Sequence, residues 1–195
     1  MFKKIQLLFN TIKYLKAEQI LNRIKRKFFK PKISLIDIPK NSNPSSKIKP
    51  VIQCSQRMYG ESSFKFLNKE FTLKVSEDWN NNNHEKLWLY NLHYFDDLNA
   101  INCEERFIWH SNLIQNWIEN NPVGYGNGWE PYPSSLRIVN WVKWFLLGLN
   151  SNNDVNQIWL DSLVIQTRFL CKNLDQTLVV QIGRKGCRYY IFSFP

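Results

Sequence analysis

Leu87-Trp88-Leu89-Tyr90-Asn91-Leu92-His93-Tyr94-Phe95-Asp96-Asp97-Leu98 and Gly128-Trp129-Glu130-Pro131-Tyr132-Pro133-Ser134-Ser135-Leu136-Arg137-Ile138-Val139-Asn140-Trp141 open and close the stretch on which the fold of this chain turns. Aromatic rings alternate there with Asn, His, Glu, Arg and Ser, and two prolines hold the loop. A plain core helix needs no such mixture. Flat rings beside fork-shaped and bidentate polar groups suit a sugar ring with its hydroxyls or carboxylates.

Working outward, Glu104 to Asn120 is predicted as an amphipathic helix with Phe107, Ile108, Ile114, Trp117 and Ile118 on its buried side, stopped by Pro122. The loop Gly124-Tyr125-Gly126-Asn127-Gly128 is permissive enough to bend side chains into a cleft. Ser134 is the expected N-cap of a helix reaching about Leu149. Leu136, Ile138, Val139, Val142, Phe145, Leu146 and Leu149 wrap most of that helix, which should therefore be largely buried. Another helix is expected from about Val155 to Leu170. Successive helices with short connections predict antiparallel hairpins around a common core. Upstream, Phe64 and Phe66, then Phe71, Leu73 and Val75, alternate as one or two short strands with Asn68-Lys69 as the turn. Asp78-Trp79 with Asn80 to Asn83 reads as a loop, and Trp88 to Leu98 as one segment of mixed character.

The ends differ from this middle. Residues 3–29 place Ile5, Leu8, Phe9, Ile12, Leu15, Ile20, Leu21, Ile24 and Phe28 at helical spacing, with Lys and Arg opposite, and the pattern stops before Pro31. Such a helix either docks on its own domain or makes weak contact with an anionic membrane surface. Residues 39–50 read as a linker. The organisation expected is an arm and linker over 1–50, a helical domain over 51–175, and an aberrant β-prone tail over 176–195. A frameshift or premature end after about Asp175 is the expected cause of that tail.

Charge follows the same division. Residues 1–50 hold thirteen Lys/Arg against Glu18 and Asp37, or +11, and the rest balances at −1, giving the net +10. The basicity belongs to the arm, so a nucleic-acid partner is not expected. Cys54, Cys103, Cys171 and Cys187 are far apart and without C-x-x-C spacing, which reads as reduced structural thiols. No metal site and no cofactor is expected. No signal peptide is visible, and no run reaches the roughly 18 apolar residues of a membrane span. The chain reads as cytoplasmic, with the periplasm left open.

Tyr90, Asn91, His93, Trp129, Glu130, Tyr132, Arg137, Asn140 and Trp141 are the candidate cleft residues. Arg137, Asn140 and Trp141 or Trp144 share one narrow face of their helix. A buried face of that kind must be hydrogen-bonded or line a wet groove. Two readings stand: Arg137 pairs with a substrate carboxylate or sulfate while Asn140 binds hydroxyls, or Arg137 forms an internal ion pair with Glu130. His93 is either a general base, since its reference pKa lies near 6.5, or a hydrogen-bonded structural residue. His84 and His110 have no visible constellation.

Leu87–Leu98 and Trp129–Trp144 resemble signatures of the heparinase II/III-like polysaccharide lyase family, in the branch found with bacterial surface-polysaccharide genes. Tyr14-Leu15-Lys16 through Asn22-Arg23-Ile24, and Phe66-Leu67-Asn68 with Asp78-Trp79, are similar too. The resemblance spans about residues 5–175. It implies an N-terminal (α/α) toroid followed by an antiparallel β-sandwich, and a β-elimination. A base removes the C5 proton of a uronic acid, the bond at O4 breaks, and an unsaturated sugar results. That chemistry needs Asn and His to neutralise the carboxylate and a Tyr or His to move the proton.

The family's Gly-Asn-His signature, expected after Thr167-Arg168-Phe169-Leu170 and Lys172-Asn173-Leu174, is replaced here by Val179-Val180-Gln181-Ile182-Gly183. No catalytic residue is therefore assigned, and the expectation is a chain without the β-sandwich. The expectation is a mainly α chain: an incomplete (α/α) toroid of antiparallel helical hairpins with a basic helical arm and one or two short strands. It would bind acidic, uronate-containing polysaccharide or oligosaccharide as the N-terminal portion of such a lyase, inactive alone. The competing expectation is a non-catalytic carbohydrate-binding or interaction module.

Overall fold

The computed structural model describes residues 53–150, with side chains to Leu147, and residues 156–173, together with Gln6, Ala17, Leu21 and Ile24. Those four isolated residues are helical and exposed. The rest of the basic arm, the linker and the β-prone tail lie outside the described residues. The described residues 53–150 and 156–170 belong to one compact unit.

Three short strands come first: β1 (Met58–Gly60), β2 (Ser63–Phe66) and β3 (Lys69–Thr72), antiparallel in the order β1-β2-β3. Phe66 pairs with Lys69, so the β2–β3 loop is Leu67 and Asn68, at φ 52° and 61°. Positive φ at both positions marks the type I′ turn, whose twist matches that of the flanking strands. The turn therefore falls one residue earlier than Asn68-Lys69. Alternation sends Phe64 and Phe66 into the core and leaves Lys65 to pair with Glu70 outside.

Four helices follow: α1 (Lys86–Tyr94), α2 (Phe107–Asn120), α3 (Pro131–Asn150) and α4 (Gln157–Asn173). Helix α1 is shorter than the sequence suggests because Phe95 turns left-handed, at φ 61° and ψ 36°, and a 3-10 turn over Asp96–Asn99 follows. A left-handed conformation costs a non-glycine residue about 1–2 kcal/mol. The buried Phe95 ring recovers this among Trp79, Trp117 and Trp141, with centroids 6.1, 6.4 and 5.4 Å away. On α2 the core face is His110, Leu113, Ile114 and Trp117, while Ile108, expected inside, is 71% exposed.

Ser134 does not cap α3. The helix begins at Pro131, whose fixed φ and missing N–H fit a first helical position. Ser134 already donates its backbone N–H to Glu130 O at 3.1 Å in helical fashion. Its hydroxyl is buried and donates to Gly128 O at 3.0 Å.

Antiparallel pairing holds for α2 with α3 and for α3 with α4, whereas α1 runs alongside α3 in the same sense, Tyr90 meeting Glu130 and Tyr94 meeting Asn140. Phe107 stacks on Trp144 and Trp117 meets Trp141, so α2 and α3 run in opposite senses. Arg137 reaches Gln166 while Trp144 and Phe145 meet Trp159, which sets α4 antiparallel to α3. The protein is thus mainly helical with a small three-stranded sheet. Of its eight tryptophans, Trp79, Trp88, Trp117, Trp129, Trp141 and Trp144 are buried. No helix among the described residues is long and apolar enough to cross a membrane.

Candidate functional site

The buried Arg137 sits at the centre of the helical core. Its Nε donates to Gln166 Oε1 at 2.8 Å, and its Nη1 donates to Gly128 O at 2.8 Å and His93 O at 3.4 Å. The guanidinium carbon lies 3.9 Å from the Trp117 ring centre. Among the described residues no carboxylate lies within ion-pair distance, and burial pulls its pKa well below the arginine value. Neutral oxygens and an aromatic face hold the cation instead. Glu130 is engaged elsewhere, so the Glu130–Arg137 ion pair does not form.

His93 is fixed by its two neighbours. Trp117 donates its indole N–H to Nδ1 at 3.0 Å, so Nε2 carries the proton and donates it to Trp79 O at 3.0 Å. Burial, and then the nearby Arg137 cation, push its pKa down to about 3. Gly128 completes the enclosure, since a Cβ there would come within 2.6 Å of His93 Nδ1.

A second polar centre was not legible as a constellation. Asp97 Oδ1 accepts from the Arg57 and Met58 amides at 2.5 and 3.0 Å. Its Oδ2 accepts from Arg106 Nε and His110 Nε2, each at 2.9 Å. Burial raises the carboxyl pKa, but the bonds from His110, both amides and Arg106 outweigh it and hold it at about 2. The signal was the spacing of Arg106 and His110, one helical turn apart on one face. Its meaning needed the left-handed Phe95, which swings Asp97 towards them.

The exposed chemistry gathers where α1 meets the start of α3. Tyr90 donates its hydroxyl to Glu130 Oε2, and Glu130 Oε1 pairs with Lys86 Nζ at 2.8 Å. Lys86 also lies 5.3 Å above the Tyr90 ring. Tyr132 is 60% exposed and stands edge-on to Tyr94 at 5.7 Å, with Tyr90 6.4 Å away. Burial, then the Tyr132, Asp96 and Tyr90 neighbours, push the Tyr94 hydroxyl up to about 12. Burial and the Glu130 contact raise Tyr90 as well.

Of the candidate residues, the structure brings Tyr90, Glu130 and Tyr132 together at the surface. His93, Trp129, Arg137 and Trp141 are core residues, sealed from any large ligand in this structure. Trp129 donates its indole N–H to Asn121 O at 3.0 Å. Asn140 is half-buried, donating to Tyr94 O at 2.9 Å and Asp96 Oδ1 at 2.8 Å, and so ties α3 to the end of α1. Asn91 turns its amide back to Leu87 O at 2.8 Å and takes no part in the tyrosine cluster. Tyr94, the ring that flanks His93 in the sequence, belongs to the cluster too, as does Lys86, which reads as an ordinary helix residue.

Comparison with protein-family models, curated proteins and solved structures finds no match to this chain.

Proposed function

We propose that this unit binds an acidic polysaccharide on the face around Tyr132, as the opening part of an (α/α) toroid similar to that of heparinase II/III-like lyases. The observation that carries the reading is the tyrosine cluster itself. An exposed Tyr132 ring, braced by Tyr94 and Tyr90, adjoins a cation and a carboxylate held in fixed positions by one another. Such rings offer a flat apolar face to the C–H side of a sugar, and a hydroxyl to its rim. Lys86, paired with Glu130 at 2.8 Å, keeps ammonium N–H groups that can donate to a uronate oxygen, so the attraction is a directed hydrogen bond rather than a net charge. The antiparallel helix pairs supply the local units from which a toroid is built.

Binding, rather than turnover, is the role assigned to this face. Proton abstraction needs a base that the substrate can reach. His93 is enclosed, the Tyr90 and Tyr94 hydroxyls are held in their protonated form by raised pKa values, and both Glu130 oxygens are engaged, one by Tyr90 and one by Lys86.

Calorimetric titration with heparin-derived and polygalacturonate-derived oligosaccharides tests the reading. Tyr132→Ala is expected to weaken binding by about tenfold or more, a loss of roughly 1.4 kcal/mol, with the melting temperature unchanged. Equal affinity in wild type and variant, or no binding by wild type, overturns it. Release of unsaturated uronate, read by ultraviolet absorbance, would instead make the face catalytic.

A further inference from the structure

We infer that a polar cleft between the β1–β2 turn and α2 is a second binding site, for an uncharged sugar of about two rings. The cleft has a volume of about 470 Å³ and is lined by Glu61, Ser62, Lys74, Asn112, Asn116 and Asn120 among others. That volume falls within the usual range for small-ligand sites.

The three asparagines stand four residues apart on α2 and so share one face, spanning about 12 Å from first to last at 1.5 Å per residue. Their amide orientations are set by bonds they already make. Asn112 Nδ2 donates to Glu61 Oε1 at 2.6 Å, which leaves its Oδ1 as an acceptor. Asn116 Oδ1 accepts the Trp79 indole N–H at 2.8 Å, which leaves its Nδ2 as a donor. Asn120 Nδ2 donates to Asn116 O at 2.9 Å, which again leaves an acceptor. Asn112 and Asn120 each keep an acceptor oxygen and a second N–H, and Asn116 keeps its Nδ2 donors. Ligand hydroxyls can both donate and accept, so a row of them satisfies such mixed positions without any charge.

The opposite wall is equally fixed. The buried Asp78 accepts from the Lys74 and Val75 amides at 2.9 and 3.2 Å, and anchors the segment that rims the cleft. Charges in the lining balance, with one Lys74 against one Glu61, which gives an ionic ligand no net attraction. No aromatic ring lines the cleft, so there is no platform for a nucleobase. Leu73, Val75 and Leu113 supply apolar surface for the C–H face of a sugar ring. The site shares no residue with the tyrosine cluster and does not rest on it.

The test is a proton–nitrogen correlation spectrum of the full chain, titrated separately with maltose, cellobiose, lactose and N,N′-diacetylchitobiose at millimolar concentration. At least one disaccharide is expected to shift the side-chain amide signals of Asn112, Asn116 and Asn120. Asn112→Leu/Asn120→Leu, both away from the core, should weaken that binding at least about tenfold while the remaining spectrum stays folded. Tyr132→Ala should leave it unchanged. No shift of these amides with any of the four sugars overturns the site. So does equal binding by the double variant, or a response confined to the tyrosine cluster; the last of these would leave the reading of the Tyr132 face standing.

Discussion

Trp117 gives its indole N–H to Nδ1 of His93 across 3.0 Å, and since an indole can only donate, the imidazole it meets is neutral. That one contact converts the most reactive-looking residue of the α1 segment into a structural strut. It joins α1 to α2, while the opposite ring nitrogen holds Trp79 O and Arg137 binds the His93 carbonyl.

A pH dependence follows. The folded pKa of His93, about 3, lies below the ordinary 6.5, so the unfolded chain binds a proton that the folded chain refuses. Stability from this group is fully present above pH 6.5 and is lost as pH falls towards 3. The slope in that window should approach 1.4 kcal/mol per pH unit, of order one proton. Urea melts at pH 7, 6, 5 and 4 measure it. A free energy that stays level from pH 6 to pH 4 contradicts the assignment.

Arg137 should behave as a core residue. Arg137→Ala removes the donor to Gln166, Gly128 O and His93 O and leaves a void against Trp117. The expected cost is about 3–5 kcal/mol. Arg137→Lys keeps a cation but cannot reproduce the forked geometry, and should still cost about 2 kcal/mol or more. Thermal melts of both variants check this. A stable Arg137→Ala protein that only lost affinity for an anionic oligosaccharide would return Arg137 to the ligand face.

The sequence pattern carried the helices and the short sheet well, because both rest on periodicity that survives in the structure. It did not tell core from surface among the candidate residues. Trp129, Arg137 and Trp141 look like a sugar-binding array when written in a line, yet a cage of tryptophans needs polar groups at the same places to satisfy buried indoles and carbonyls. Whether such a mixture faces a core or a groove depends on the neighbouring helix, which no single segment encodes. Tyr90, Glu130 and Tyr132 flank that cage and so come together at the surface. The Asp97 centre was missed for a related reason: its partners converge only after Phe95 breaks α1.

The β2–β3 turn offers a stabilising change. Leu67 and Asn68 both hold positive φ, which costs a bulky aliphatic residue most, and Leu67 is 49% exposed, so its side chain gains little burial in return. Leu67→Asn with Asn68→Gly restores the preferred type I′ pair and should raise stability by about 1 kcal/mol. The measurement is a denaturant midpoint at unchanged slope. A lower midpoint would mean that Leu67 is held by packing rather than tolerated by it.

Asp96 and Asp97 are neighbours in sequence with opposite fates, and the contrast gives the sharpest test of the buried polar centre. Asp97 accepts four hydrogen bonds and is held at a pKa of about 2, below the ordinary 3.8, so its charge stabilises the fold above pH 3.8 and that contribution is lost as pH falls towards 2. Asp96 is pushed upward, by burial first, against its bond from Asn140, so its charge is a cost that the fold tolerates. Replacement by the amide should separate them. Asp97→Asn puts an NH2 group against donors and strands Arg106 beside an uncharged partner, for a loss of about 3–5 kcal/mol. Asp96→Asn keeps an oxygen for Asn140 and removes the unfavourable charge, so stability at pH 7 should change by less than about 1 kcal/mol, in either direction. Equal losses in the two variants would show that the carboxylates share one site, and that the Asp97 cluster does not hold its charge alone.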